Sequence, residues 1–126
     1  MDKSDRVRLQ HMLDAAREAI QFVNSRQESD LATDRMLLLS LVKEIEIIGE
    51  AANQISRAER GGAAEIPWAR IVSMRNRLNH AYADVNIAFV LKTVASGLRT
   101  RVAQLQALGL VTKQLIQFEG SRGEIL

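Results

Sequence analysis

The 126-residue chain contains no cysteine, which excludes disulfides and thiolate metal sites and is compatible with a reducing compartment. Proline occurs once, and Phe, Trp and Tyr together make up 4% of the residues. So small a supply of turn formers and aromatics argues against a β-sandwich and for helices packed through Leu, Ile, Val and Ala. Long apolar runs are missing as well. The longest uncharged stretch, Val102–Thr112, is eleven residues and includes Gln104, Gln106 and Gly109, well short of the roughly 20 apolar residues that cross a bilayer. The N-terminal MDKSDRVRLQHMLD is charged from its second residue and shows no apolar core followed by a small-residue cleavage site. No secretory signal is read there, and a cytoplasmic protein is expected.

Charge is weak in total and uneven in distribution. The net charge is +2, but residues 1–63 hold 9 Lys/Arg against 11 Asp/Glu, whereas residues 64–126 hold 8 against 4. The basic excess, with Arg70, Arg75, Arg77, Lys92, Arg99 and Arg101, suits a surface that attracts phosphates. Arg99 and Arg101 read equally well as solvated helix faces.

The length suits one domain, which buries about two thirds of its unfolded surface. Leu9, Leu13, Ala16, Ile20 and Val23 follow one another by four, three, four and three, the stripe of an amphipathic helix from about Ser4 to Arg26. Ser29 and Asp30, or Thr33 and Asp34, can cap a second helix, MLLLSLVKEIEIIGEAANQI, which is apolar around much of its circumference and is expected to be central or to meet a second subunit. Arg60, Gly61, Gly62 and Ala63 break the pattern, and Pro67 suits a first turn, so a third helix is expected from near Ile66. Asp84 or Asn86 can cap a fourth, with Ile87, Leu91, Val94, Leu98, Val102, Leu105 and Leu108 at helical spacing until Gly109 ends it. A short fifth segment is possible at Leu110–Phe118. The fold class is all-α, one domain over residues 1–120 with a polar tail at 121–126.

The chemistry concentrates in IPWARIVSMRNRLNHAYADV, residues 66–85. Arg75 offers a permanently charged fork for phosphate oxygens, and His80 can give and take protons near neutrality. Such a pair could cleave RNA without metal. On a regular helix Asn76 and His80 share a face, so that the Asn76 amide could orient the imidazole, whereas Arg75 and His80, five apart, diverge by about 140°. They converge if the helix ends near Asn79, if two chains line one groove about a twofold axis, or both. Tyr82 could stack on a base, donate a hydrogen bond or accept a transferred group.

The Arg75, Asn76, His80 and Tyr82 pattern, its IPWARIVSMRN lead-in and the all-helical periodicity resemble the HEPN-domain ribonuclease toxins encoded beside minimal nucleotidyltransferase antitoxins. That resemblance covers nearly the whole chain. It implies a four- to five-helix up-and-down HEPN bundle that forms a homodimer, with both motifs lining a shared cleft. It implies a toxin of a toxin–antitoxin system, a metal-independent endoribonuclease. In it the ribose 2′-OH attacks the adjacent phosphodiester, His80 moves protons, Arg75 steadies the phosphoryl charge and Asn76 supports. Arg70 and Arg77 are the candidate RNA phosphate contacts. The implied partner is a nucleotidyltransferase antitoxin that silences the chain by adenylylating Tyr82. No cofactor or metal is expected: His11 stands alone without paired carboxylates at ligand spacing.

The same residues admit plainer roles. Arg75 could form an ion pair with Glu46 or Glu50 on the neighbouring helix, Asn76 could be surface polarity, Tyr82 could pack, and Trp68 reads as core. A non-catalytic helical subunit that binds nucleotide or RNA and docks a nucleotidyltransferase is the alternative function, and a dimeric bundle without ligand is the purely structural one.

Overall fold

The computed structural model describes residues 1–80 and 87–109. Among them every regular element is a helix. Helix α1 spans Lys3–Phe22, α2 Glu28–Thr33, α3 Arg35–Asn53, α4 Arg57–Gly62 and α5 Trp68–His80; α6, Ile87–Lys92, runs through a π-helical turn, Thr93–Gly97, into α7, Leu98–Gln106. The four long units are α1, α3, α5 and the continuous rod of α6, π turn and α7. The all-α expectation and the helical-bundle architecture are met.

Apolar periodicity sets the packing. Leu9, Met12, Leu13, Ala16 and Ile20 of α1 face Leu41, Val42, Ile45, Ile48 and Ala52 of α3, all buried, and each fully buried Leu or Ile side chain is worth roughly 1.5–3 kcal/mol. Helix α3 lies between α1 and α5, while α7 closes on the other flank of α1. The central position expected for this second long helix is observed.

Three departures from the sequence expectation have local causes. Helix α1 stops at Phe22, not near Arg26, because Ser25 adopts a left-handed φ of 63°. Of the two capping options for the second long helix, the later one is used: Asp34 caps α3 by accepting from the Leu37 N–H at 3.1 Å, whereas Ser29 and Asp30 lie inside the short α2, which the sequence reading missed and where Asp30 closes a capping box with Gln27. Residues 60–62, read as a break, instead finish α4. Its Arg60 Nη2 donates to the Ala52 and Asn53 carbonyls, 2.9 Å each, and so terminates α3 from outside. Ser56 caps α4 and also binds α1, its N–H and hydroxyl donating to Asp5 at 2.9 and 2.6 Å. The hydroxyl bond and then the backbone bond hold the Asp5 carboxyl below its usual value.

The π turn was also unforeseen, yet it solves a packing problem. Val90, Val94, Leu98 and Val102 are all buried at successive steps of four, and on a regular α-helix each such step rotates about 40° away from the last. A wider turn absorbs the drift and keeps the row on the core. Gly109, with φ 88°, follows the rod as expected of a terminating glycine. The proposed caps Asp84 and Asn86, the segment Leu110–Phe118 and the tail 121–126 lie outside the described residues. No helix among the described residues is long and apolar enough to cross a membrane.

Candidate functional site

Helix α5 carries the motif, and its start is fixed by Trp68. The indole is buried and its Nε1–H donates to the Ala63 carbonyl at 3.1 Å, which ties the first turn of α5 to the end of α4. Trp68 is core, as read. Downstream, Ile71, Met74 and Leu78 set the inward face, leaving Arg75 at its edge beside α3.

Arg75 reaches the surface through a notch. A Cβ built at Gly49 of α3 would stand 2.4 Å from the Arg75 Cβ and 3.1 Å from its Cγ, so the two helices approach at this distance only because position 49 has no side chain. The Arg75 side chain is 21% exposed, and its guanidinium is held from two sides. Nε and Nη2 donate to Asn76 Oδ1 at 3.2 and 2.8 Å, and Nη1 donates to Glu50 Oε2. Among the described residues, one N–H on each terminal nitrogen has no partner, so the fork is aimed yet retains donors for a ligand. Holding so long a side chain offsets in advance an entropy loss of about 1.5–2 kcal/mol.

This geometry adds to one expectation and sharpens another. The Asn76 carbonyl orients Arg75, its neighbour, a contact the sequence reading did not include; a planar Oδ1 matches the Nε–Nη2 edge of a guanidinium in a way that i to i+4 spacing does not reveal, and the contact expected between Asn76 and His80 lies outside the described side chains. The structural ion pair weighed for Arg75 exists, and Glu50 is its partner. Helix α5 is described through His80, one residue past the end expected near Asn79, and residues 81–86 lie outside the described residues. Register then leaves position 80 about 140° around the axis from Arg75, and about 20° from Ser73, seven residues earlier.

Arg77, Asn79 and His80 belong to α5, but their side chains, and Tyr82 altogether, lie outside what the structure describes. Arg70 is exposed on the flank of α5 facing away from α3's Gly49 notch. It borders a groove of about 470 Å³ between α5 and the C-terminal rod. Of the two readings of Arg101, the solvated helix face is not met, since the residue is partly buried in that groove, whereas Arg99 is exposed and donates back to the Ala95 carbonyl at 3.0 Å. Gly49, the contact of Asn76 with Arg75 and the partial burial of Arg101 were missed by sequence reasoning. A lone glycine in the large-residue run EIEIIGEAA was the one signal pointing to the notch.

Comparison with known proteins supplies the remaining findings. Residues 12–108 match the family model described as ribonuclease HepT-like. "Putative RNase TTE0752" from Caldanaerobacter subterraneus subsp. tengcongensis is 32% identical over 73% of this chain and 82% of its own length. "Probable ribonuclease HepT" from Thermococcus cleftensis is 30% identical over 75% of this chain and 86% of its own. No solved structure matches.

Proposed function

The chain belongs to the HepT-like ribonuclease family, and on that premise we propose that it is a metal-independent endoribonuclease, the toxin of a toxin–antitoxin pair. The observation that carries the reading is the preset Arg75 fork, held by Asn76 and Glu50 at the surface of the helix that also bears His80. The ribose 2′-oxygen attacks the adjacent phosphorus as His80 takes its proton. The bond from phosphorus to O5′ breaks, O5′ is protonated, and the products are a 2′,3′-cyclic phosphate and a 5′-hydroxyl. Arg75 stabilises the charge that grows on the phosphoryl oxygens, and Arg70 and Arg77 contact flanking phosphates.

Because α5 is regular through His80, Arg75 and His80 of one copy diverge, and the active cleft is the one that two copies build about a twofold axis. Silencing falls to a nucleotidyltransferase antitoxin: the Tyr82 phenol attacks the α-phosphorus of ATP, pyrophosphate leaves, and the tyrosyl adenylate brings bulk and negative charge to the RNA path. The test is incubation of the purified full-length chain with RNA in EDTA. Cleavage to cyclic-phosphate ends, lost in His80→Ala, supports the reading; RNA bound and left intact rejects it.

The Glu50–Arg75 pair favours one competing reading, a non-catalytic RNA- or nucleotide-binding subunit in which Arg75 serves packing and phosphate contact alone. In that case Arg75→Ala changes stability or binding, and no cleavage exists to be lost.

A further inference from the structure

The groove between α5 and the rod differs chemically from the Arg75 notch. Its floor is apolar, with Ile45, Ile48, Ile71, Met74 and Leu98, and Phe89, 41% exposed, stands on the wall. Three cations border it, Arg70, Lys92 and Arg101, and its described lining contains no Asp or Glu. Burial, and then the charge of Arg70, push the Arg101 guanidinium below its usual pKa. Like charges are therefore kept close without a carboxylate between them.

Two features show the groove to be built. The Gln104 side chain is tied by its Nε2 to the Glu65 carbonyl at 3.1 Å, and its Oε1 accepts from Arg101 Nη1, so the guanidinium is positioned by an anchored neighbour. The π turn acts on a larger scale. Lys92 and Arg101 are nine residues apart, and on an uninterrupted α-helix they would project about 180° from one another. With Thr93–Gly97 wound as a π turn, both line one groove, and such turns are frequent at functional sites.

We infer that this groove is a subsite for one unpaired nucleotide of the RNA, its phosphates met by Arg70, Lys92 and Arg101 and its base laid on the apolar floor beside Phe89. The inference rests on the RNA reading above and adds to it where the strand runs. A volume near 470 Å³ suits a nucleotide-sized ligand, and a base face against apolar and aromatic groups is how single strands are held without sequence reading. Ser73 lines the groove, and position 80 follows it on nearly the same face of α5, about 10 Å along the axis. A strand seated in the groove is therefore led toward position 80, the occupied nucleotide being one or two removed from the scissile phosphate.

The test is binding of a fluorescent single-stranded RNA hexamer to the full-length His80→Ala chain, followed by anisotropy across a salt series. That readout needs no cleavage, so it stands even if the nuclease reading fails. Added Arg101→Gln is expected to weaken binding about 3–10-fold and to reduce the salt slope by about 0.7, the loss of one phosphate contact on a single strand. Added Phe89→Ala should weaken binding at least about 5-fold with the slope unchanged, and Arg101→Lys should recover most of the salt slope. In the cleaving wild-type background, Arg101→Gln should slow a hexamer and leave a dinucleoside monophosphate unaffected. Unchanged affinity in both Arg101→Gln and Phe89→Ala overturns the inference. So does AMP that displaces the hexamer at equal concentration, because the site would then belong to a free nucleotide.

Discussion

The two flanks of α5 handle positive charge in opposite ways. At the notch beside α3, Arg75 is met by a carboxylate and an amide, and Gly49 lets the helices close on its stem. At the groove beside the rod, Arg70 and Arg101 approach one another with no acid among the described lining, over an apolar floor. A partnered, oriented guanidinium suits a task in which one atom must meet another at a set distance. Cations with no carboxylate among the described lining, set around an apolar floor, suit holding a polyanion whose exact position matters less. The difference separates a candidate reacting end from a candidate holding end on a single helix.

The strongest way to break that contrast is at the notch and the motif. His80→Ala should lower RNA cleavage by about 10²–10⁴-fold, and Arg75→Lys by about 10²–10³-fold because a point charge loses the two-pronged contact; both are read as initial rates on a labelled RNA. If Arg75→Lys were as active as wild type, the notch would have no more need of geometry than the groove.

Gly49→Ala probes the close approach directly. Since the new methyl meets the Arg75 Cβ, which no rotamer can move, the helices must part, at a cost of about 1–3 kcal/mol seen as a lowered denaturation midpoint, with cleavage reduced further. Gly61→Ala is the matched control: nothing lies within 4 Å of its added Cβ, and the change should stabilise by up to about 1 kcal/mol. Next in size is Glu50→Gln. Glu50 is 53% exposed, so the lost ion pair should cost at most about 1 kcal/mol, while RNA affinity by anisotropy rises because a competing anion has gone. A fall in affinity would mean that Glu50's aiming of Arg75 outweighs its competition.

Asp5 lines neither flank and serves as a reference for both. Its folded pKa is below the ordinary 3.8, so its contribution is present above that value and is lost as pH falls through the folded one. Asp5→Asn should therefore be less stable than wild type at neutral pH and converge with it in acid, followed by circular dichroism. RNA affinity should not change.

Much of this was legible in the chain. The stripes through Leu9–Ile20, the Leu37–Ile48 run and Ile87–Leu105 gave three of the four long units, because burying one face of a helix imposes a period on the sequence. Arg75 and Trp68 were recognisable from residue type and place. What escaped was set by contacts between elements. Whether Asn76 serves Arg75 or His80 depends on rotamers, not spacing; the notch at Gly49 depends on how near α5 comes; and α4 exists partly because Arg60 can cap α3. Arg101 could be read as solvated or as phosphate-facing, and spacing did not decide between them because an α-helical period was assumed through a segment that does not keep it.

That last point bears on how the chain tolerates change. The meeting of Lys92 with Arg101 is encoded in a count of residues and not in the identity of any of them. Point substitutions across 93–97 would leave the phase of the rod intact, whereas removing a single residue there would swing everything beyond it by about 100° and carry Arg101 off the groove. Among homologues, insertions and deletions in this stretch would then be rarer than amino-acid replacements.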